Sequence, residues 1–299
     1  MLVGSGFGLA AHLYHRVPPG PEPVTARPAS PHPAVVAKPV EKASFPLPLP
    51  APPAPAWLRF AVPAPPTGDH PLIAIVIDDL GLDRRRTAAV IALPGPLTLA
   101  FMTYAQDRSD QTEAGRQAGD ELLLHVPMEP IDHAENPGPH ALLVAMSADE
   151  ILAQLRWGLD RFTGFVGVNN HMGSKFTADA RGMAVVMSEL RRRGLIFLDS
   201  KTTAVSAGMR EAAANGVPHA ARDVFLDDDL SPAAIDRQLA RVERVARQNR
   251  SAIAIGHGHG PTIVALRAWL PTLREKGFAL VPLSAVVRHR MTEAAEAGR

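Results

Sequence analysis

Four clusters of polar side chains in this 299-residue chain could carry chemistry, and each follows a short apolar run. The first is Asp78-Asp79, directly after the β-branched run at residues 73–77. The others are His125 with Glu129, Asn170 with His171, and His257, and a fifth run adds Asp199-Ser200-Lys201. An Asp with two His is a standard open site for a divalent ion, which lowers the pKa of its bound water toward ~7. These residue types therefore predict metal-assisted hydrolysis.

Each cluster alone is weak evidence for a site. A single His after a strand more often belongs to the core or a loop, and an Asp pair more often caps the next helix. Three histidines at successive strand ends, beside an Asp pair, are hard to explain structurally. Adjacent residues of a strand point to opposite sides, so we expect Asp78 and Asp79 to have different roles, one as metal ligand and one as proton acceptor.

Other polar residues favour a structural interpretation. His133, His140 and His219 fall in predicted polar loops. The acidic run 227–229 precedes the helix signal Ser231-Pro232, and we interpret it as a solvated run that favours the helix start.

Alternating strands and helices must position these clusters, and this alternation begins near residue 71. The predicted strands are 72–77, 97–103, 121–126, 164–169, 195–199, 224–226, 252–256 and 278–281. Helices are predicted between most of these strands. Strict alternation predicts a parallel sheet, either a (β/α) barrel or a doubly wound sheet. In a parallel barrel the carboxyl ends of the strands meet at one rim.

Composition separates the chain into regions and excludes some functions. The net charge of +1 implies no broad attraction to nucleic acid, and the absence of cysteine excludes disulfides and thiol chemistry. Residues 1–17 are apolar but too short to span a bilayer, so they are either the remnant of an export anchor or a frayed tail. Residues 18–67 predict a disordered Pro/Ala-rich linker, since 17 of the 29 prolines lie in residues 1–66. We assign 68–290 to the domain and 291–299 to a tail.

The domain resembles the divergent polysaccharide deacetylases, a bacterial branch of the nodulation-protein-B-like carbohydrate esterases of family four. The matching stretches are Ile77-Asp78-Asp79-Leu80-Gly81, His125-Val126-Pro127-Met128-Glu129-Pro130, Asn169-Asn170-His171-Met172-Gly173-Ser174, Leu198-Asp199-Ser200 and Ile255-Gly256-His257. The resemblance implies an α/β fold, a distorted (β/α)7 barrel of the glycoside hydrolase/deacetylase type, with a divalent metal at its carboxyl rim. It also implies that Asp78 is the base and Asp79 a metal ligand, and that His125 and His257 match the family's motif histidines.

The sequence departs from the family's pattern at three points. Glu129 stands where typical members have a second metal-binding His, so we expect His171 as the third ligand, with Glu129 as the alternative. The Arg-x-Pro-Tyr motif of the oxyanion pocket is missing. The Asp-x-x-Asp-Trp motif is also missing, although Asp199-Ser200 occupies a similar place, and we expect Asp199 to orient His257.

The predicted function is deacetylation of an N-acetylated polysaccharide, with Asp79, His125 and His171 holding a divalent ion, for which Zn²⁺ is expected. Asp78 would be the base, and His257 would protonate the leaving amine. The expected substrate contacts are Asn170, Ser200, Lys201 and Glu129. We expect a polysaccharide or peptidoglycan-like partner, no nucleic acid, and a periplasmic location with a membrane tether through the N-terminus. The alternatives are a non-catalytic glycan-binding or assembly protein of the envelope, and hydrolysis of another amide, ester or phosphoester.

Overall fold

The computed structural model describes Gly20 and residues 54–106 and 108–298. The predicted anchor at 1–17 and most of the predicted linker at 18–67 lie outside these residues. Among the described residues, every helix is too short or too polar to cross a membrane.

Parallel strands alternate with helices through the described chain. The strands are β1 Leu72–Leu80, β2 Thr98–Met102, β3 Glu121–Met128, β4 Gly167–Met172, β5 Ile196–Asp199, β6 His219–Ala221, β7 Val224–Phe225, β8 Ser251–His257 and β9 Ala279–Leu280. The helices are α1 Ala56–Arg59, α2 Arg84–Ile91, α3 Arg108–Gln117, α4 Ala148–Leu159, α5 Ala180–Arg193, α6 Gly208–Ala214, α7 Pro232–Asn249, α8 Gly260–Trp269 and α9 Leu283–Ala297.

The sheet curls into a distorted, incompletely closed barrel. Its strands are ordered β6-β5-β4-β3-β2-β1-β8-β7, every ladder is parallel, and β9 pairs with the start of β1. Only residues 222 and 223 separate the two end strands β6 and β7, so a short covalent connection joins the two edges of the sheet. The predicted barrel is therefore confirmed. Because its strands are parallel, their carboxyl ends meet at one rim.

Helix starts follow the signals in the sequence. Ser147 and Glu150 form a complete capping box at α4, and the side chain of Asp83 accepts hydrogen bonds from two backbone N–H groups of α2. Gly194 ends α5 in the left-handed conformation (φ 66°). On α5, the buried carboxylate of Glu189 accepts hydrogen bonds from Arg156, Arg192 and Arg193.

Within the described part of the chain, two clusters of apolar side chains form the core, and the second one supports the site. Its members include Val76, Leu123 and Ile255, which lie two residues before Asp78, His125 and His257 on β1, β3 and β8. Because strand side chains alternate, each of these polar residues continues the face of its apolar neighbour. Trp57 on α1 and three residues of α9 complete the same cluster. Residues 56–59, predicted as linker, and 291–297, predicted as tail, belong to helices α1 and α9.

Candidate active site

A bulge at the end of β1 turns both acids of the Asp pair toward one pocket. The register of β1 with β2 shifts between Ile77 and Leu80, and Asp79 has a left-handed backbone conformation with φ 61°. Asp78 and Asp79 both line a cavity of about 490 Å³ at the rim. Our expectation of opposite orientations assumed a regular strand, and the bulge removes that assumption.

Asp79, His125 and His171 bring three ligand atoms together at this rim. Their ligand atoms all lie within 4.8 Å of one another. His171 Nδ1 lies 2.9 Å from Asp79 Oδ1, and His125 Nε2 lies 3.4 Å from the same oxygen. The three residues come from β1, β3 and β4, so the sheet positions the set.

The set fits a divalent ion. Asp79 Oδ1 is buried, and its two short histidine contacts do not have hydrogen-bond angles. Burial opposes ionisation of Asp79, yet its contacts with His125 and His171 hold its pKa well below the usual range. Burial would lower the pKa of His125, but Asp78 and Asp79 outweigh it and raise the pKa. Two imidazoles around an ionised, unsatisfied carboxylate oxygen are a donor set that Zn²⁺ prefers.

Asp78 is a buried carboxylate placed against the same group. Its side chain is 4% exposed, and its Oδ2 lies 3.6 Å from His125 Nε2. Burial raises the pKa of Asp78, although the neighbouring His125 and His257 oppose this. An acid with a raised pKa beside a candidate metal site is suited to accept and release a proton.

His257 is held by Asp227, which corrects two predictions. His257 Nδ1 lies 3.0 Å from Asp227 Oδ1, whereas Asp199 accepts hydrogen bonds from Ser206 and from the N–H of Lys201. Asp199 therefore braces the turn after β5 and does not orient His257. Nor is Asp227 solvated, because its side chain is fully buried. Asp227 lies two residues after β7 and reaches the same rim as the other site residues, a signal that the acidic run concealed.

The pKa of His257 follows from these neighbours. Burial would lower it, but the hydrogen bond to Asp227 and the charges of Asp78, Asp227 and Asp79 raise it to about 9. His257 Nε2 lies 3.9 Å from Asp79 Oδ2, so the imidazole faces the candidate metal site. Asp227, His257 and His259 form a second group of ligand-capable atoms. The oxygens of Asp227 already accept hydrogen bonds there from His257 and Thr262, and we interpret this group as a hydrogen-bonded one.

Asn169 is a site residue that we did not predict as one. Its amide lies between the base and a ligand, with Nδ2 2.8 Å from Asp78 Oδ1 and Oδ1 2.8 Å from His125 Nδ1. The residue is fully buried. Strand alternation could have indicated it, because Asn169 lies two residues before His171 on β4.

The side chains of Glu129 and Asn170 form hydrogen bonds with neighbouring parts of the domain. Glu129 accepts hydrogen bonds from Lys175 Nζ at 2.6 Å and from the N–H of Val144 at 2.6 Å, and it lies outside the ligand group. Asn170 is buried, accepts a hydrogen bond from the N–H of Ser200 and donates one to the carbonyl of Met172. The geometry therefore favours His171 over Glu129 as the third ligand. Asn170 also lines the pocket, and the expected roles of Glu129 and Asn170 in substrate contact stay predictions.

Ser200 and Lys201 lie in the pocket wall, as substrate contacts would. Lys201 is exposed and has a left-handed backbone with φ 51°. Arg222, from the connection between β6 and β7, lines the same wall and donates hydrogen bonds to the carbonyls of Ser200 and Lys201. Its guanidinium also lies over the ring of Phe225, 4.7 Å from the centroid. The wall thus combines two cations with an aromatic ring.

Known proteins share this domain. A family described as divergent polysaccharide deacetylase matches residues 75–287. The uncharacterized protein YibQ of Escherichia coli K12 is 38% identical over 196 residues, which cover 65% of this chain. The match covers 61% of that protein, so this chain spans about three fifths of its length. An uncharacterized protein of Haemophilus influenzae is 35% identical over 205 residues, covering 68% of this chain and 72% of that protein.

A solved structure is similar to this fold. The crystal structure of an uncharacterized protein from Agrobacterium tumefaciens C58 has a TM-score of 0.75 and 31% sequence identity. The match covers 78% of this chain and 95% of that one. The family match runs from within β1 to the start of α9 and includes every residue of the site described above. The chain belongs to the divergent polysaccharide deacetylase family.

Proposed function

We propose that this protein is a metal-dependent hydrolase that removes acetyl groups from an N-acetylated polysaccharide of the cell envelope. One observation carries the proposal. The three candidate ligands Asp79, His125 and His171 converge in the wall of one pocket, directly beside a buried acid and a histidine held by a second acid. Family membership supports a deacetylase-type reaction.

Asp79, His125 and His171 would hold the ion, with Zn²⁺ favoured by two imidazoles and one carboxylate. A bound divalent ion supplies Lewis-acid polarisation of the acetyl carbonyl and activation of water. The sheet holds these three side chains in position. The parallel register of β3 with β4 does this for the histidines, because it pairs His125 with Asn169, two residues before His171.

Asp78 would accept the proton of the attacking water. Its Oδ1 accepts a hydrogen bond from Asn169, which fixes the carboxylate, while its Oδ2 faces His125 Nε2. Burial disfavours its charged form, and this strengthens it as a base when it is ionised.

His257 would donate a proton to the leaving amine. With a pKa of about 9, the imidazole is protonated at neutral pH. Asp227 holds the ring through Nδ1, so Nε2 is the nitrogen that faces the pocket. The acid and the base thus come from neighbouring strands, since Asp78 pairs with His257 in the β1–β8 ladder.

The pocket suits a polar, extended substrate. A cavity of about 490 Å³ with Lys201, Arg222 and Phe225 in its wall can take a sugar unit, with the ring stacking on the aromatic and the cations binding hydroxyl or carboxylate groups. Ser200 and Lys201 stay our proposed substrate contacts. We also propose a periplasmic site of action with a membrane tether before the domain, and no nucleic-acid partner.

Acetate release tests the proposal. The full chain, loaded with Zn²⁺, would be assayed on chito-oligosaccharides and on peptidoglycan fragments, beside Asp78→Asn and the control Asp83→Asn. Asp83 lies just after β1, where its side chain caps α2 and forms an ion pair with Arg86. We expect release by the wild type and by Asp83→Asn, and a loss of at least about 10²-fold in Asp78→Asn. Glycan binding without acetate release, at any divalent metal, would refute the hydrolase and favour a non-catalytic envelope protein.

A further inference from the structure

The amide of Asn169 contacts both halves of the candidate site. It touches His125, a candidate ligand, and Asp78, the proposed base, at 2.8 Å each. A third, longer contact of 3.4 Å joins its Nδ2 to Ser200 Oγ. All of these groups are buried, so water does not compete for the amide.

The chemistry of the partners fixes the orientation of this amide. A carboxylate only accepts hydrogen bonds, so the NH₂ of Asn169 must face Asp78. The carbonyl oxygen then faces His125, and because it can only accept, His125 Nδ1 must carry the proton. In the neutral ring, the remaining nitrogen of His125, Nε2, then has the free lone pair. That nitrogen lies 3.4 Å from Asp79 Oδ1, on the side of the candidate ligands.

We propose that Asn169 is a positioning residue that fixes the metal-binding tautomer of His125 and, through the same amide, holds Asp78 in place beside it. The inference rests on the proposed function in that it assigns roles to His125 and Asp78. It goes further because one neutral side chain determines both the tautomer of a metal ligand and the position of the base. A rotation of the amide would break both contacts together, so the two are coupled.

Two substitutions separate the contacts. Asn169→Asp keeps an acceptor for His125 Nδ1 but places a second carboxylate oxygen against Asp78. We expect it to bind Zn²⁺ within a few-fold of the wild type, or more tightly, while acetate release falls at least about 10²-fold. Asn169→Leu keeps the branched shape at Cγ and removes both contacts, so Zn²⁺ affinity should fall about 10–100-fold as well. Ser200→Ala removes only the 3.4 Å contact and should leave Zn²⁺ affinity within about two-fold.

The tautomer is measured without any substitution. Histidine ¹H–¹⁵N spectra of the Zn²⁺-loaded wild-type protein should show His125 with a proton on Nδ1 and none on Nε2. The same measurement on metal-free protein at alkaline pH, where the ring is neutral, should give the same tautomer. A proton on Nε2 in either form, or equal Zn²⁺ affinities for Asn169→Asp and Asn169→Leu, would overturn the inference. A protein that shows the Nδ1–H tautomer but releases no acetate would keep the inference on His125 and refute the hydrolase.

Discussion

Replacing Asp227 by Asn should remove the proton that His257 carries at neutral pH. In the wild type, Asp227 Oδ2 accepts a hydrogen bond from the backbone N–H of His257 at 2.7 Å, and Oδ1 lies against His257 Nδ1. The backbone N–H can only donate, so the amide oxygen of an Asn must take the Oδ2 position. Its NH₂ then faces Nδ1, which must become an acceptor. The substitution therefore favours a neutral imidazole.

The magnitude follows from the pKa of His257. Its pKa of about 9 lies above the usual 6.5, and Asn at residue 227 should bring it to 6.5 or below. At pH 7.5 the protonated fraction would fall from nearly complete to about one tenth. Because folding raises this pKa, the charged imidazole stabilises the metal-free protein fully below pH 6.5, by about 3 kcal/mol, and this is lost as the pH rises through 9. Asp227→Asn should abolish that dependence.

An NMR titration of His257 in metal-free protein measures the shift, and acetate release by the Zn²⁺-loaded protein measures its consequence. We expect turnover at pH 7.5 to fall by about 10²–10⁴-fold. Thr262→Val is the matched control, because it removes the other side-chain hydrogen bond to Asp227 Oδ2 and keeps the charge. A pKa of His257 above 8 in Asp227→Asn, or a similar loss of turnover in both variants, would refute this reasoning.

Three further predictions concern stability. Burial raises the pKa of Glu121 to about 7, so its ionisation destabilises the fold as the pH rises from 4.5. In urea titrations, Glu121→Gln should therefore raise the unfolding free energy by up to about 3 kcal/mol at pH 8 and leave it unchanged at pH 4. The arginine partners of Glu189 hold its pKa below the usual range, so Glu189→Gln should lower the unfolding free energy by about 1–3 kcal/mol at pH 7 and by progressively less as the pH falls below 4.5. An equal loss at pH 3 would contradict the ionic origin. In thermal melting, Gly167→Ala should lower the unfolding free energy by about 1–3 kcal/mol, because the new Cβ would collide with Ile196 on β5. In the control Gly260→Ala the new Cβ meets open space, and the loss should be under about 1 kcal/mol.

The barrel and its rim were predictable because each strand is signalled by a short run of neighbouring residues in the sequence. Runs such as 73–77 and 252–256 are apolar without a break, as expected of strands that are buried on both faces. Strand β6 was missed, because His219 and its two alanines carry no strand signal and pair with β5 only in the assembled sheet. Helix α9 was missed too, since its apolar face is defined by the cluster against which it packs.

The site was predictable in its residue types but not in its pairings. Strand ends identify which residues reach the rim, and this placed Asp78, His125 and His257 there. Pairing depends on distances between strands that are far apart in sequence. The partner of His257 comes from the segment after β7 and not from the end of β5, a choice that no spacing in the sequence encodes. The bulge at Asp79 is likewise a property of the β1–β2 register.

Metal content is the measurement that tests the central claim most directly. The purified full chain would be analysed for bound metal after Zn²⁺ reconstitution and dialysis, beside single Ala variants of Asp79, His125, His171 and Glu129. The site predicts close to one Zn²⁺ per chain, lost on changing Asp79, His125 or His171 and retained in Glu129→Ala. A wild-type chain that retains no divalent metal, or a Glu129→Ala variant that loses it while His171→Ala keeps it, would contradict the proposed centre.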